Sequence, residues 1–363
     1  MASRTLRILL PMAMHLNAYS TIAVIQTAFL GDVALSLFFL EELRACAPHA
    51  RILFVTTPAS ASLAGCSTSI DEVIVFDKRG ADSGVGGMVR LSALLKKRGV
   101  DLVFGLQRSL RTSVVARLCG ARTGVGFKNA AASWLYSHRV EWNLGVHETQ
   151  RNHALLSVFD DTLDAVVPMS IPALQMSLQG MPDDALAQEF SGSTNAGQKY
   201  IVLAPGSVWA TKRWSEEHWI TLATKLVHSG HKVFVLGGAE DQLLCARIAG
   251  AAGAMSVSAK DTAPTLPQSL RLIMQADLVV TNDSAPTHLA ALAGTRTLTI
   301  YGSTIPGFGF GPRGSGDRIV ENESLSCRPC GIHGRRECPL GTLECLQSIS
   351  AEQVFDVCCS MIA

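Results

Sequence analysis

The stretch Leu278-Val279-Val280-Thr281-Asn282-Asp283-Ser284-Ala285-Pro286-Thr287-His288 decides how this chain is read. Its first four residues are apolar or β-branched, as in a strand buried on both faces of a parallel sheet. Asn282 to Ser284 form a polar turn, and Pro286 suits the first turn of a helix, where its missing N–H costs nothing. Such a strand–turn–helix unit belongs to an open α/β sheet, which binds ligands at the C-terminal ends of its strands. The helix start offers unpaired N–H groups and partial positive charge, a suitable seat for a diphosphate.

The same unit recurs in both directions along the chain. Upstream, Tyr200 to Ala204 is a predicted strand ending in Pro205-Gly206-Ser207, and Lys212-Arg213-Trp214 leads into a helix capped by Ser215. Strands are also predicted over Lys232–Leu236, Asp277–Thr281 and Thr297–Tyr301, with helices over Asp241–Ala252, Leu266–Gln275 and Thr287–Ala293. The first half repeats the alternation, with strands over Thr21–Gln26, Arg51–Thr56, Glu72–Phe76 and Asp101–Leu106. Helices fall over Val33–Ala47, Met88–Arg98 and Leu110–Cys119. A polar Gly/Ser/Asn-rich segment reaching Lys199 reads as a linker. The expected class is α/β, two facing Rossmann-like domains with parallel sheets and a cleft between them.

Composition narrows the function. The chain has 363 residues, 31 Lys+Arg against 30 Asp+Glu, 48% hydrophobic and 17% charged residues. Disorder and a dedicated nucleic-acid binder are both excluded by those balances. Residues 1–180 carry 17 basic and 13 acidic residues and residues 181–363 carry 14 and 17, an asymmetry that would suit an anionic partner on the first half but is small enough for ordinary surface variation. No apolar run approaches the roughly 18 residues of a membrane span. Arg4 and Arg7 precede an apolar stretch from Ile8 to Leu16 with a cleavage-like Ala18-Tyr19-Ser20 after it, but Pro11 and His15 interrupt the stretch, so residues 1–20 read as an extension, with a signal peptide as the alternative.

Taken together, P-G-S-x4-K-R-W, then T-N-D-S-A-P-x-H-L-A-A, then Tyr301-Gly302-Ser303-Thr304 resemble the bacterial ADP-heptose:lipopolysaccharide heptosyltransferases of glycosyltransferase family 9. Gly31-Asp32-Val33, Asp71-Glu72-Val73-Ile74 and Asp101 to Gln107 in the first half are similar to that family too. The resemblance implies the GT-B architecture. It assigns residues 21–185 to an acceptor-binding domain and 200–346 to a nucleotide-sugar domain, joined by a linker at 186–199. A final helix over 347–363, capped by Ser350, would return to the first domain.

It implies an inverting transfer of heptose from ADP-heptose to an anionic glycolipid resembling the lipopolysaccharide core. The enzyme would be cytoplasmic, with peripheral contact to the inner membrane and no cofactor needed for catalysis. Asp32 would be the general base, Lys212 would hold the departing diphosphate beside Ser207, and Asp283 would bind sugar hydroxyls. Ser284 and Ala285 would meet phosphate, His288 would support their loop, and Glu240 would lie near adenosine. Arg108, Arg111 and His147 are the candidates for the acceptor side. Each has a plainer reading: Asp32 as a helix cap, His288 as a structural histidine, the others as solvated polar groups. Another nucleotide-sugar transferase, an epimerase on this scaffold, or a non-catalytic sugar-nucleotide binder are the competing functions. Cys327, Cys330, Cys338 and Cys345 have the spacing for structural zinc or an iron–sulfur cluster, with disulfides or free thiols as alternatives.

Overall fold

The computed structural model describes residues 15–159, 171–174, 197–256 and 264–363, so all but the last three residues of the predicted linker lie outside it. Every predicted strand forms within a residue of its expected bounds. The first sheet holds β1 (Thr21–Ile25), β2 (Arg51–Thr56), β3 (Glu72–Val75), β4 (Leu102–Gly105), β5 (Thr123–Phe127) and β6 (His138–Val140). They run parallel in the order β3-β2-β1-β4-β5-β6. Its helices are α1 (Leu30–Cys46), α2 (Ala61–Ala64), α3 (Gly84–Lys97), α4 (Leu110–Leu118) and α5 (Glu148–Ala154).

The second sheet repeats that order as β9-β8-β7-β10-β11-β12, again all parallel. Its strands are β7 (Tyr200–Ala204), β8 (Lys232–Val235), β9 (Met255–Ser256), β10 (Leu278–Asn282), β11 (Thr297–Tyr301) and β12 (Arg318–Glu321). Around them lie α6 (Glu216–His228), α7 (Gln242–Ala252), α8 (Leu266–Gln275), α9 (Ala285–Ala293), α10 (Glu344–Gln347) and α11 (Ala351–Ile362). Strand order reverses between β1 and β4 and between β7 and β10, which opens a crevice at each switch point.

Helix α1 brings the two crevices together. Val33 to Leu40 are buried without a break, as in a helix covered on all sides. It packs on its own sheet, on α5, and on α9 of the second half, and one apolar core runs from Val33 and Leu37 through to Leu289 and Leu292. Gly31 makes the approach possible, because a Cβ there would stand 2.7 Å from the His288 ring. The glycine of the Gly31-Asp32-Val33 turn is thus explained by a contact between domains.

Two expectations change. Leu16 and Tyr19 are built into the first core, with Tyr19 Oη 2.8 Å from Thr123 Oγ1, so the fold begins before Thr21. The final helix α11 does not cross to the first domain. Val354, Cys358, Met361 and Ile362 face the second core, and the helix lies against α6. Its cap is as expected, with Ser350 Oγ accepting from the Gln353 N–H at 3.1 Å.

Candidate active site

The two signature segments of the second half are stitched together by one side chain. Asn282, the last residue of β10, donates to the Pro205 carbonyl (2.7 Å) and accepts from the Trp214 N–H (3.1 Å). Ser284 Oγ adds a bond to the Gly206 carbonyl at 3.2 Å. Arg213 Nε bonds the Ser207 carbonyl at 2.6 Å, and the Trp214 indole N–H bonds the Ile349 carbonyl at 2.9 Å. Lys212, on the turn just before Arg213, is thereby set against Asp283, with Nζ 2.6 Å from Oδ2. Thr304 Oγ1 donates to the same carboxylate oxygen at 2.5 Å.

From the first half, Asp32 enters as the third residue of α1. One of its carboxylate oxygens accepts the Phe29 N–H at 3.2 Å. Burial drives its pKa up to about 6, against the opposing pull of that hydrogen bond and of the nearby Lys78 ammonium. Asp32, Ser207, Lys212, Asp283, Ser284, Ala285 and His288 all line one cavity of about 190 Å³ between the halves.

Two further cavities flank this one. Towards the second half, a space of about 240 Å³ shares Ser207, Ser284 and Ala285 with it and reaches Gly237, Gly238 and Glu240 beyond β8. Towards the first half, a space of about 300 Å³ shares Asp32, Phe310 and His333 and is walled by Gln107, Arg108, Trp142 and Glu148. Singly these lie at or below the low end of the roughly 300–1,000 Å³ usual for ligand sites; joined, they lie within it.

The structure brings together every residue expected on the donor side, with Glu240 in the flanking cavity beyond β8. Arg108 stands at the other end, its guanidinium 4.0 Å from the Trp142 ring centroid. Arg111 is the second residue of α4, outside these walls, where its charge helps burial lower the Lys78 pKa. His147 is placed differently from the expectation. Its Nδ1 accepts from the Thr149 N–H, so Nε2 donates to the Gly311 carbonyl at 3.0 Å, tying the halves together. Burial lowers its pKa to about 3 and keeps it neutral. His288 is likewise buried and lowered to about 4, with its ring edge against Gly31.

Sequence reasoning named Glu148 only within the His147-Glu148 segment on the acceptor side, and it missed Arg151 and the wall residues Ile332 and His333. Glu148 is buried beside Arg151 (2.9 Å), and burial followed by the Asp32 charge raises its pKa to about 7. Arg151 is fully buried and also bonds the Asn143, Leu144 and Phe308 carbonyls at 2.7, 2.8 and 2.8 Å, a second tie across the halves. Ile332 and His333 come from the cysteine-rich loop, where the Arg335 N–H donates to Thr211 Oγ1 (2.8 Å) beside Lys212.

The expected metal set at the cysteines of that loop finds no support: Cys327, Cys330, Cys338 and Cys345 are not joined in disulfides, and among the described residues no three His, Cys, Asp or Glu side chains are grouped to hold a metal ion. Cys345 is turned into the second core while Cys327 is exposed.

Comparison with known proteins agrees with this geometry. The curated lipopolysaccharide heptosyltransferase 1 of Pseudomonas aeruginosa is 25% identical over 328 residues, which cover 85% of each chain. Lipopolysaccharide heptosyltransferase 2 of Escherichia coli K12 is 26% identical over 302 residues, 79% of this chain and 84% of that one. A family 9 glycosyltransferase from Veillonella parvula superposes with TM-score 0.79 at 24% identity, covering 94% of this chain and 97% of its own. The ADP-heptose heptosyltransferase II of E. coli superposes with TM-score 0.75 at 22% identity, over 94% and 98%. The model of glycosyltransferase family 9 (heptosyltransferase) matches residues 88–341, most of the chain, and with the shared cleft and its signature segments this chain belongs to that family.

Proposed function

We propose that this glycosyltransferase moves a heptose from ADP-heptose to an anionic acceptor of the lipopolysaccharide-core type, with inversion at the anomeric carbon. One observation carries the reading: the three joined cavities place the Asp32 carboxylate at one junction and Ser207, Ser284 and Ala285 at the other. The curated relatives matched over most of their length are named as lipopolysaccharide heptosyltransferases, which supports the choice of donor and acceptor.

In this scheme the adenosine occupies the cavity near Glu240 and the diphosphate meets Ser207, Lys212 and the first N–H groups of α9. The sugar lies in the central space, with Asp283 accepting from its hydroxyls. The acceptor enters past Arg108, whose charge suits an anionic group, and presents its hydroxyl to Asp32. Asp32 removes the proton as the oxygen attacks, and the ADP leaves from the opposite face towards Lys212. The domain assignment follows the same division, acceptor on the first sheet and donor on the second. The donor is a cytosolic metabolite and the acceptor an amphiphile, so the proposed location is the cytoplasmic side of the inner membrane, in peripheral contact. No helix among the described residues is long and apolar enough to cross a membrane.

The test is nucleotide release on incubation with a panel of nucleotide sugars, with and without a core-type acceptor. Release that depends on both ADP-heptose and acceptor is expected; acceptor-independent conversion of the donor overturns the reading. Two further results are expected. Because Asp32 must be ionised to act and its pKa is about 6, kcat/KM falls as pH drops through about 6, not through the ordinary aspartate range near 4. A profile flat down to pH ~5 contradicts a base with this environment. The positive charge for the leaving diphosphate comes from Lys212 and the α9 start, so EDTA leaves transfer intact. Loss of activity that Mg²⁺ restores shows instead that a metal is required.

A further inference from the structure

Residues 78–140 contain twelve Lys/Arg and only two Asp/Glu, in a chain whose totals are 31 and 30. Four of the twelve are paired with acids: Arg90 with Asp82 at 3.0 Å, Arg122 with Asp101 at 3.8 Å, Arg98 with Glu72 at 2.7 Å, and Lys128 with Glu141, the last two acids lying outside this stretch. Arg79 and Arg111 make no ion pair among the described residues, while the charge of Arg108 acts on the buried Glu148 carboxylate.

Topology gathers part of this charge on one rim. Arg79 and Val85 follow β3, Arg108 and Leu110 follow β4, and Trp134 follows β5. All three segments leave the C-terminal ends of parallel strands, so they share the edge from which Asp32 rises after β1. The Ala131 N–H bonds the Arg108 carbonyl at 3.0 Å and Ser113 Oγ bonds the Ala131 carbonyl at 2.7 Å, which holds the Trp134 turn against the start of α4. Helix α3 packs beside α4.

On this rim the apolar side chains stand in water. Trp134 is 74% exposed, Val85 69%, Leu110 57% and Val89 52%. Scattered singly, such residues need no explanation. Grouped among unopposed arginines, with an indole in the set, they have the composition of a surface that lies in a lipid headgroup layer.

We propose that this rim is where the enzyme rests on an anionic lipid bilayer, with the acceptor-side cavity facing the membrane. The inference rests on the reading of an amphiphilic acceptor and adds the surface that meets its membrane. Exposed apolar side chains would enter the headgroup region while the spread of basic charge matches anionic lipid, each basic residue near the surface contributing about fivefold to partitioning.

The experiment is flotation of the full chain with phosphatidylcholine vesicles, with and without phosphatidylglycerol, and with no sugar substrate present. Wild type is expected to float with the anionic vesicles, to dissociate at high salt, and to stay behind with phosphatidylcholine alone. Trp134→Ser with Leu110→Ser is expected to weaken partitioning at least about tenfold, and Arg79→Glu to weaken it more than fivefold. None of these three lines the cavities, so each variant should keep its melting temperature and its wild-type transfer to a water-soluble acceptor without acyl chains. Transfer to a vesicle-embedded acceptor should fall with the binding. Wild type that does not float, variants that float like wild type, or equal binding to both vesicle types overturns the proposal. Absence of transfer to any acceptor, with vesicle binding as expected, indicts the functional reading and leaves the surface standing.

Discussion

Replacing Asp32 by Asn is expected to lower kcat by at least about 10²-fold while leaving donor binding and fold intact. The substitution keeps an oxygen to accept the Phe29 N–H, now at 3.2 Å, so the first turn of α1 remains capped. It removes only the capacity to take a proton, and a sugar hydroxyl is too weak an acid to react at neutral pH without that help. ADP-sugar affinity should hardly change, because the diphosphate and nucleoside contacts in this scheme belong to the second half. A stable variant that retains more than about a tenth of wild-type kcat would falsify the assignment. Glu148 would then be the carboxylate to test, since it is the other acid lining the acceptor-side cavity.

What was readable beforehand and what was not have different physical origins. The strands β1, β4, β7 and β10 announce themselves as continuous apolar runs because both faces of a parallel sheet are covered. The chemistry sits directly after them, so Asp32, Ser207 and Asp283 could be placed at strand ends from sequence alone. Strand β5 could not be found this way. Its sequence Thr123-Gly124-Val125-Gly126-Phe127 reads as a turn, but the Tyr136 ring lies over it, and a Cβ at Gly126 would meet that ring at 2.5 Å. Gly105 in β4 is short for the same reason, with Tyr136 Oη 2.2 Å from where its Cβ would be. One aromatic side chain contributed by a later loop thus erases the strand pattern of its neighbour.

Tertiary contacts also hid part of the site. His147 looks like a loop histidine free to meet a substrate, and only the approach of Gly311 from the other half shows it to be a tie. Phe308-Gly309-Phe310 carries no obvious meaning until Arg151 is seen against it. Gly309 has φ +89°, and a Cβ there would stand 2.3 Å from the Arg151 guanidinium. His333 was masked by its cysteine-rich setting, which drew attention to metal ligation rather than to the cavity wall. The expected destination of α11 came from the family resemblance alone, since an amphipathic stripe says that one face is buried, not which neighbour buries it.

Lys212→Ala should weaken transfer by roughly 1.5–3 kcal/mol in kcat/KM, about 10- to 150-fold, through two losses at once. The first is the direct charge-assisted contact to the diphosphate. The second comes from Asp283, whose side chain is 8% exposed and whose carboxylate is bonded by Lys212 and Thr304. With the ammonium gone, an incoming diphosphate meets a buried carboxylate with no cation beside it, and like charges in a poorly hydrated cleft repel strongly. Adding Asp283→Asn to Lys212→Ala removes that repulsion, so the double variant should bind ADP more tightly than Lys212→Ala alone. Its transfer rate should stay low, because the contact from Asp283 to the sugar is lost as well. Calorimetric ADP titrations of the three variants separate the two losses. If the second substitution weakens ADP binding further by the amount it costs in the wild-type background, the Lys212–Asp283 pair is not coupled through the diphosphate, and Lys212 acts on the leaving group alone.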